Sequence, residues 1–214
     1  MTIVYLYTAL CTVGGADRSI IQKANYLADE MHQDVFIITD SQKKRPPVFP
    51  ISPRIRHIDI AIDFDRQYHH NLLVRGYYYF TLMHLYRKKL EYWLKTLKPD
   101  IVISTLGREL DFLTQLDDGS VKIGESHIAK PYTRNLHLME QRGFPYKQIA
   151  RYWRKKQEEA VKKLDALVVL TQHDADNWKE VKKACVIPNF LPFSPEKGSS
   201  CLEKRIISIG RYSE

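Results

Sequence analysis

Residues Cys11–Met31, CTVGGADRSIIQKANYLADEM, place two adjacent glycines between an apolar run and a helical pattern. Before them, Ile3–Tyr7 reads as a strand. After them, Ile20, Ala24, Leu27 and Met31, with Ile21 and Ala28 beside them, form the stripe of a helix that packs one side on a sheet. Without Cβ atoms, Gly14 and Gly15 let a ligand approach the main chain, and their access to positive φ allows a sharp bend. A tight turn that binds nothing is the alternative these residues leave open.

Outward from this unit the pattern repeats. Strand-like runs are expected at Ile3–Tyr7, Val35–Thr39, Ile55–Ile60, Ile101–Ser104, Val121–Gly124, Leu167–Leu170, Cys185–Ile187 and Ile206–Ile209, with helical patterns between most of them. That alternation predicts an α/β, Rossmann-like, doubly wound and mostly parallel sheet flanked by helices. The prolines of SQKKRPPVFPISPR, 41–54, exclude regular structure and mark a surface loop. Lys-Pro at 98–99 stops a helix before the strand at Ile101, and Thr171 opens a helix as a capping residue. Near the end, PNFLPFSPEKGSSCLEKR has the composition of an interdomain connection. The expected division is a domain over 1–190, a linker over 191–204, and at 205–214 the first strand of a second domain, as in the front half of a longer protein.

The 214 residues carry a formal charge of +8, which suits an anionic partner: nucleic acid, a phosphorylated ligand or an acidic bilayer. Cys11, Cys185 and Cys201 are odd in number and lack metal-ligand spacing, so they read as reduced thiols in a cytoplasmic protein. MTIVYLYTAL lacks the flanks of a signal peptide, and no apolar run reaches the ~18 residues of a membrane span.

Neither G-x-G-x-x-G nor G-x-x-x-x-G-K-[ST] occurs, which argues against dinucleotide and P-loop chemistry. The stretch GGADRSIIQKANYLADEMHQDVFIIT resembles the opening of family-4 glycosyltransferases with the GT-B fold. PDIVIST, DALVVLTQHDADNW, CVIPNF and ISIGRYSE follow in the family's order. The resemblance spans nearly the whole chain and implies a hexosyltransferase-like enzyme of surface polysaccharide biosynthesis. It would move a sugar from a nucleotide-sugar donor to a glycan or lipid-linked acceptor, with retention and without a metal or other cofactor. The expected location is cytoplasmic, or peripheral at the inner face of the membrane.

By the same resemblance, Gly14, Gly15 and the amide of Ala16 line the substrate cleft, His127 faces the transferred sugar or acceptor as the catalytic candidate, and Arg211 approaches the donor diphosphate. Asp17, in the first helical turn, complements the helix dipole. Glu125 and His127, two apart after a strand, point to one side if the backbone stays extended. Glu125 then orients His127, pairs with a cation such as Lys130, or binds acceptor. A histidine that merely satisfies a buried backbone group is the alternative for His127.

The remaining histidines, His57, His69, His70, His84, His137 and His173, form no ligand set, and Asp63–Asp65 reads as loop and cap rather than a metal motif. The segment from Tyr68 to Leu97 is basic and aromatic, one long helix or two separated near Gly76. It fits a helix resting on an anionic membrane or a core helix with a solvated face. Residues 151–166 read as a solvated helix with Glu158–Lys162 and Glu159–Lys163 pairs. The rival readings are another GT-B nucleotide-sugar enzyme such as an epimerase, or a non-catalytic basic module. Binding of nucleic acid is not expected, because no reader motif occurs.

Overall fold

Seven short strands hydrogen-bond into one parallel sheet in the computed structural model, which describes residues 1–69, 72–179, 181, 183–191 and 202. The strands are β1 (Thr2–Tyr7), β2 (Asp34–Thr39), β3 (Arg56–Asp59), β4 (Ile101–Ser104), β5 (Val121–Ser126), β6 (Ala166–Val169) and β7 (Ala184–Val186). Their order is β3-β2-β1-β4-β5-β6-β7. The direction of progression reverses between β1 and β4, which is where open α/β sheets place a crevice at the carboxyl ends of their strands.

Period-two alternation divides β1 between two cores. Ile3 and Tyr5 pack with Val35, Ile37 and the helix α1 (Gly15–Asp29), through Ile20, Ile21, Ala24 and Ala28. Val4 and Leu6 point the other way, with Phe36, Ile38 and Val102, against Tyr86, Leu90 and Leu94 of α2 (Leu72–Leu97). The short helices α3 (Leu110–Leu113), α4 (Leu136–Glu140) and α6 (Gln172–Asn177) and the longer α5 (Tyr146–Val161) complete the layers. A third core gathers Val161, Leu164, Leu167, Val169 and Trp178.

The α/β, parallel, helix-flanked architecture predicted by the alternation of runs is the one observed. Details differ for physical reasons. Met31 lies past the end of α1 and is half exposed, because the chain must turn into β2 before the apolar stripe can continue. Gly76 sits inside a single 26-residue helix rather than between two, since the packing of Leu82, Tyr86, Leu90 and Leu94 outweighs the ~1 kcal/mol a glycine costs there. Thr171 caps α6 as expected, its hydroxyl accepting from the Asp174 amide at 3.1 Å. The expected strand at 206–209 and nearly all of 191–204 lie outside the described residues.

Candidate functional site

At the carboxyl end of β1 the chain reaches the glycine bend. Gly14 is the N-cap of α1 with φ −121° and ψ 154°, ordinary extended backbone, and Gly15 is not at positive φ either. The expected need for left-handed φ is therefore absent. What requires glycine at 14 is space: a Cβ there would lie 2.7 Å from Oδ2 of Asp17. Asp17 is buried, and its carboxylate accepts the Thr12 hydroxyl at 2.9 Å and the Tyr7 hydroxyl at 3.2 Å, fixing the bend from within. Burial, then the Asp17 carboxylate, raises the Tyr7 phenol above its ordinary value, so it stays a neutral donor.

Gly15 differs. It is exposed, and a Cβ there would meet nothing within 4 Å. The first bond of the helix runs from the Arg18 amide to the Gly14 carbonyl, so helix geometry gives the amides of Gly15, Ala16 and Asp17 no partner within the helix. Beside the bend opens a recess of about 300 Å³. Tyr7, Thr8, Thr12 and Ser41 bring hydroxyl-bearing side chains to its lining, and Arg45 and Asp65 bring charge. Such a lining can hydrogen-bond a polyol or a mixed polar ligand.

Further along the same edge stand Glu125 and His127. Glu125 is the penultimate residue of β5 and His127 lies just past the strand, so alternation sends both to the α1 side, and His127 Nε2 comes within 3.7 Å of Glu125 Oε1. The predicted Lys130 partner is not the one used. Glu125 pairs with Lys23 of α1, while Lys130 reaches Glu158 at 3.1 Å and the Asn177 carbonyl at 2.9 Å. The Lys23–Glu125 pair therefore ties the helix that starts at the glycine bend to the loop that carries His127.

His127 is only 6% exposed at its side chain, yet neither ring nitrogen has a hydrogen-bond partner. Burial, then the Lys23 charge, lowers its pKa to about 4. The ring is thus neutral near pH 7, with one nitrogen able to donate and the other to accept. Leaving both unsatisfied costs about 1–3 kcal/mol per group. The alternative reading, a histidine that satisfies a buried backbone group, does not match this geometry.

The opposite face of the same edge holds a pair of buried carboxylates that the sequence does not announce. Glu109 is buried and accepts from the Ser104 hydroxyl at 2.6 Å, the Gly107 amide at 3.0 Å and the Tyr86 hydroxyl at 3.4 Å. Asp40, at the end of β2, is equally buried. Burial and, more weakly, the Glu109 charge push its pKa up to about 7, against the Ser41 hydrogen bond, which lowers it.

Lys23 did carry a signal: it occupies the i+3 slot of the Ile20–Ala24–Leu27 stripe, where a lysine needs a buried partner. Arg211 lies outside the described residues. Among the described residues, no group of three or more His, Cys, Asp or Glu is placed to hold a metal ion, and Asp63 and Asp65 pair instead with Arg66 and Lys43.

The fold is a Rossmann-like parallel sheet flanked by helices, and several solved structures share it. The chain is similar to the apo form of the lipopolysaccharide outer core galactosyltransferase WaaB, with 12% identity, a TM-score of 0.58, and coverage of 89% of this chain and 46% of that one. It is similar also to sucrose-phosphate synthase from Thermosynechococcus elongatus, at 12% identity and TM-score 0.58, covering 87% of this chain and 47% of that one. A third likeness is to Os79 from O. sativa in complex with UDP, at 13% identity and TM-score 0.59, covering 90% and 52%. The chain thus spans about half the length of the structures it matches. No family model and no curated protein matches the amino-acid sequence.

Proposed function

We propose that this chain is the acceptor-side lobe of a family-4 glycosyltransferase, with residues 1–190 as that lobe, 191–204 as linker and 205–214 opening a nucleotide-sugar lobe. The donor is a nucleotide-sugar, the acceptor a glycan or lipid-linked saccharide of surface polysaccharide biosynthesis, and the sugar is transferred with retention at the cytoplasmic membrane face. The open amides of Gly15 and Ala16, with Gly14 shaping the bend, receive an anionic or hydroxyl-rich part of the substrates. His127, steered by Glu125 and Lys23, hydrogen-bonds the transferred sugar or the acceptor hydroxyl. Arg211 supports the leaving diphosphate by bidentate contact.

The observation that carries this reading is the buried imidazole with two unpaired nitrogens on the same sheet edge as an open glycine bend. Buried polar atoms are ordinarily satisfied, so an imidazole with both nitrogens unpaired has a donor and an acceptor to offer a hydrogen-bonding ligand. Three solved structures with the same sheet carry glycosyltransferase or sugar-phosphate synthase names or hold UDP, which favours a nucleotide-sugar as that ligand.

The test is turnover by the full-length gene product. A panel of UDP-, GDP- and ADP-sugars with lipid-linked and soluble saccharide acceptors should yield nucleotide release with at least one pair. His127→Ala should lower kcat by about 100-fold or more while leaving the thermal midpoint within a few degrees. Unchanged kcat in that variant, or no turnover across the panel by a folded protein, would overturn the assignment. Residues 1–214 alone should transfer no sugar.

A further inference from the structure

β3 stands at one end of the strand order, and just past it the chain turns back toward β2. The Ile60 amide donates to the Thr39 carbonyl at 2.9 Å and the Ile62 amide to the Asp40 carbonyl at 2.7 Å, which draws both isoleucines into the core beneath α2. Ala61 between them stays exposed at φ 46°, a left-handed conformation that residues with a Cβ seldom take. The Asp59 carboxylate steadies it by accepting the Ala61 amide at 3.1 Å. This bend and the facing side of α2 bound a recess of about 380 Å³.

The helix wall of the recess is a panel of four side chains. Lys88 and Lys89 each stand one turn before an aromatic residue, Tyr92 and Trp93, so i,i+4 spacing sets a row of cations beside a row of rings. The rings meet edge to face at 5.6 Å. Trp93 packs on the core on this side of the sheet, whereas Tyr92 is 65% exposed. Lys89 donates to the Ile60 carbonyl at 2.6 Å, and its ammonium keeps further protons to give. The Lys88 ammonium is exposed and has no ion pair or hydrogen bond among the described residues, since the acid of this helix, Glu91, pairs with Lys95 at 2.7 Å. On the bend side, Asp59 commits Oδ1 to the amides of Ala61 and Gln42 and to the Thr39 hydroxyl, while Oδ2 has no partner among the described residues.

We infer that this recess binds an anionic monosaccharide, a single hydroxylated ring bearing a phosphate or carboxylate group. The two ammonium groups take the anion, Asp59 Oδ2 accepts a ring hydroxyl, and the apolar face of the sugar lies on Tyr92 and Trp93. Simpler ligands leave part of the lining unused. An inorganic anion reaches the lysines but neither the rings nor Asp59, a neutral sugar gives the ammonium groups no charge to pair with, and an apolar molecule would cover three charged groups at a cost. Two lysines against one carboxylate leave the recess with positive charge in excess, and its volume falls within the ~300–1,000 Å³ of small-molecule sites. The recess is on the α2 side of the sheet and beyond β2, away from the Glu125–His127 pair on the α1 side, so its occupation does not depend on the transferase reading.

Titration of the full chain with glucuronate and with glucose 6-phosphate, followed by nitrogen-15 NMR at the Trp93 indole, tests it. The Trp93 signal is assigned by its loss in Trp93→Phe. The sugar acids should shift it saturably, and glucose or inorganic phosphate alone should bind at least about tenfold more weakly. Lys88→Gln should weaken binding about five- to tenfold and reduce its salt dependence, and Tyr92→Ala should weaken it about fivefold with the salt dependence kept. Both side chains are exposed, so the thermal midpoint should hold in each variant. Binding by one of the two sugar acids alone upholds the inference and names the acid group the site takes. No saturable shift at Trp93, equal affinity for glucose or inorganic phosphate, wild-type affinity in both variants, or shifts centred on His127 and the glycine bend in place of Trp93 would each overturn it.

Discussion

The two faces of one sheet edge treat their buried acids in opposite ways. On the α2 side, Glu109 receives three hydrogen bonds from its own chain and Asp40 is sheltered beside it. On the α1 side, Glu125 leans on Lys23, and the histidine next to it keeps two buried nitrogens without partners. The contrast teaches that burial and charge alone do not mark a site. A satisfied cluster spends its hydrogen-bonding capacity within the chain; an unsatisfied one keeps it.

Breaking the satisfied cluster should have the largest effect. Glu109→Ala strands a buried tyrosine hydroxyl, a serine and an amide, and should cost about 3–5 kcal/mol in urea unfolding, whereas His127→Ala should cost about 1 kcal/mol or less near pH 7. Equal losses would erase the distinction between the faces.

The pH dependence of stability separates them next, because the two faces have opposite signs. The folded-state pKa of Asp40, about 7, lies above its ordinary 3.8, so its contribution is complete below about pH 4 and is lost as pH rises through 7. Asp40→Asn should therefore stabilise the protein at pH 8 relative to pH 5, by on the order of 2–4 kcal/mol. For His127 the folded value, about 4, lies below its ordinary 6.5, so its contribution is present above pH 6.5 and is lost as pH falls toward 4. His127→Gln should flatten the acid limb by on the order of 2–3 kcal/mol, read from urea midpoints between pH 4 and 7. In the intact protein these slopes largely cancel, and only the paired variants expose them.

The glycines give the smallest and finest comparison. Gly14→Ala drives a Cβ into the Asp17 carboxylate and should destabilise by about 1–2 kcal/mol. Gly15→Ala meets open space and should stay within about 0.5 kcal/mol of wild type by thermal unfolding, yet weaken sugar-nucleotide binding several-fold.

Much of this architecture was legible in the residues. Seven of the eight expected strands fall on observed ones, because the central strands β1 and β2, buried along most of their length, are nearly continuous in hydrophobicity and the others are short runs bounded by polar turns. The Glu125–His127 juxtaposition followed from alternation. What stayed hidden depends on contacts distant in sequence. Nothing near Glu109 shows that Tyr86, 23 residues earlier, will donate to it, and nothing near Tyr79 shows that Trp153 will meet it. The positive φ expected at the glycine bend is not used, since a close carboxylate and a left-handed bend both ask for glycine and only coordinates tell them apart.

The most direct test follows the His127 imidazole and the amides of Gly15 and Ala16 by nitrogen-15 NMR while the protein is titrated with the proposed sugar nucleotide and acceptor. The account predicts saturable shifts at all three, with the ring remaining neutral and gaining hydrogen bonds. Shifts confined to the other end of the sheet, around Asp118 and Lys122, with His127 and the glycine bend unmoved, would contradict it.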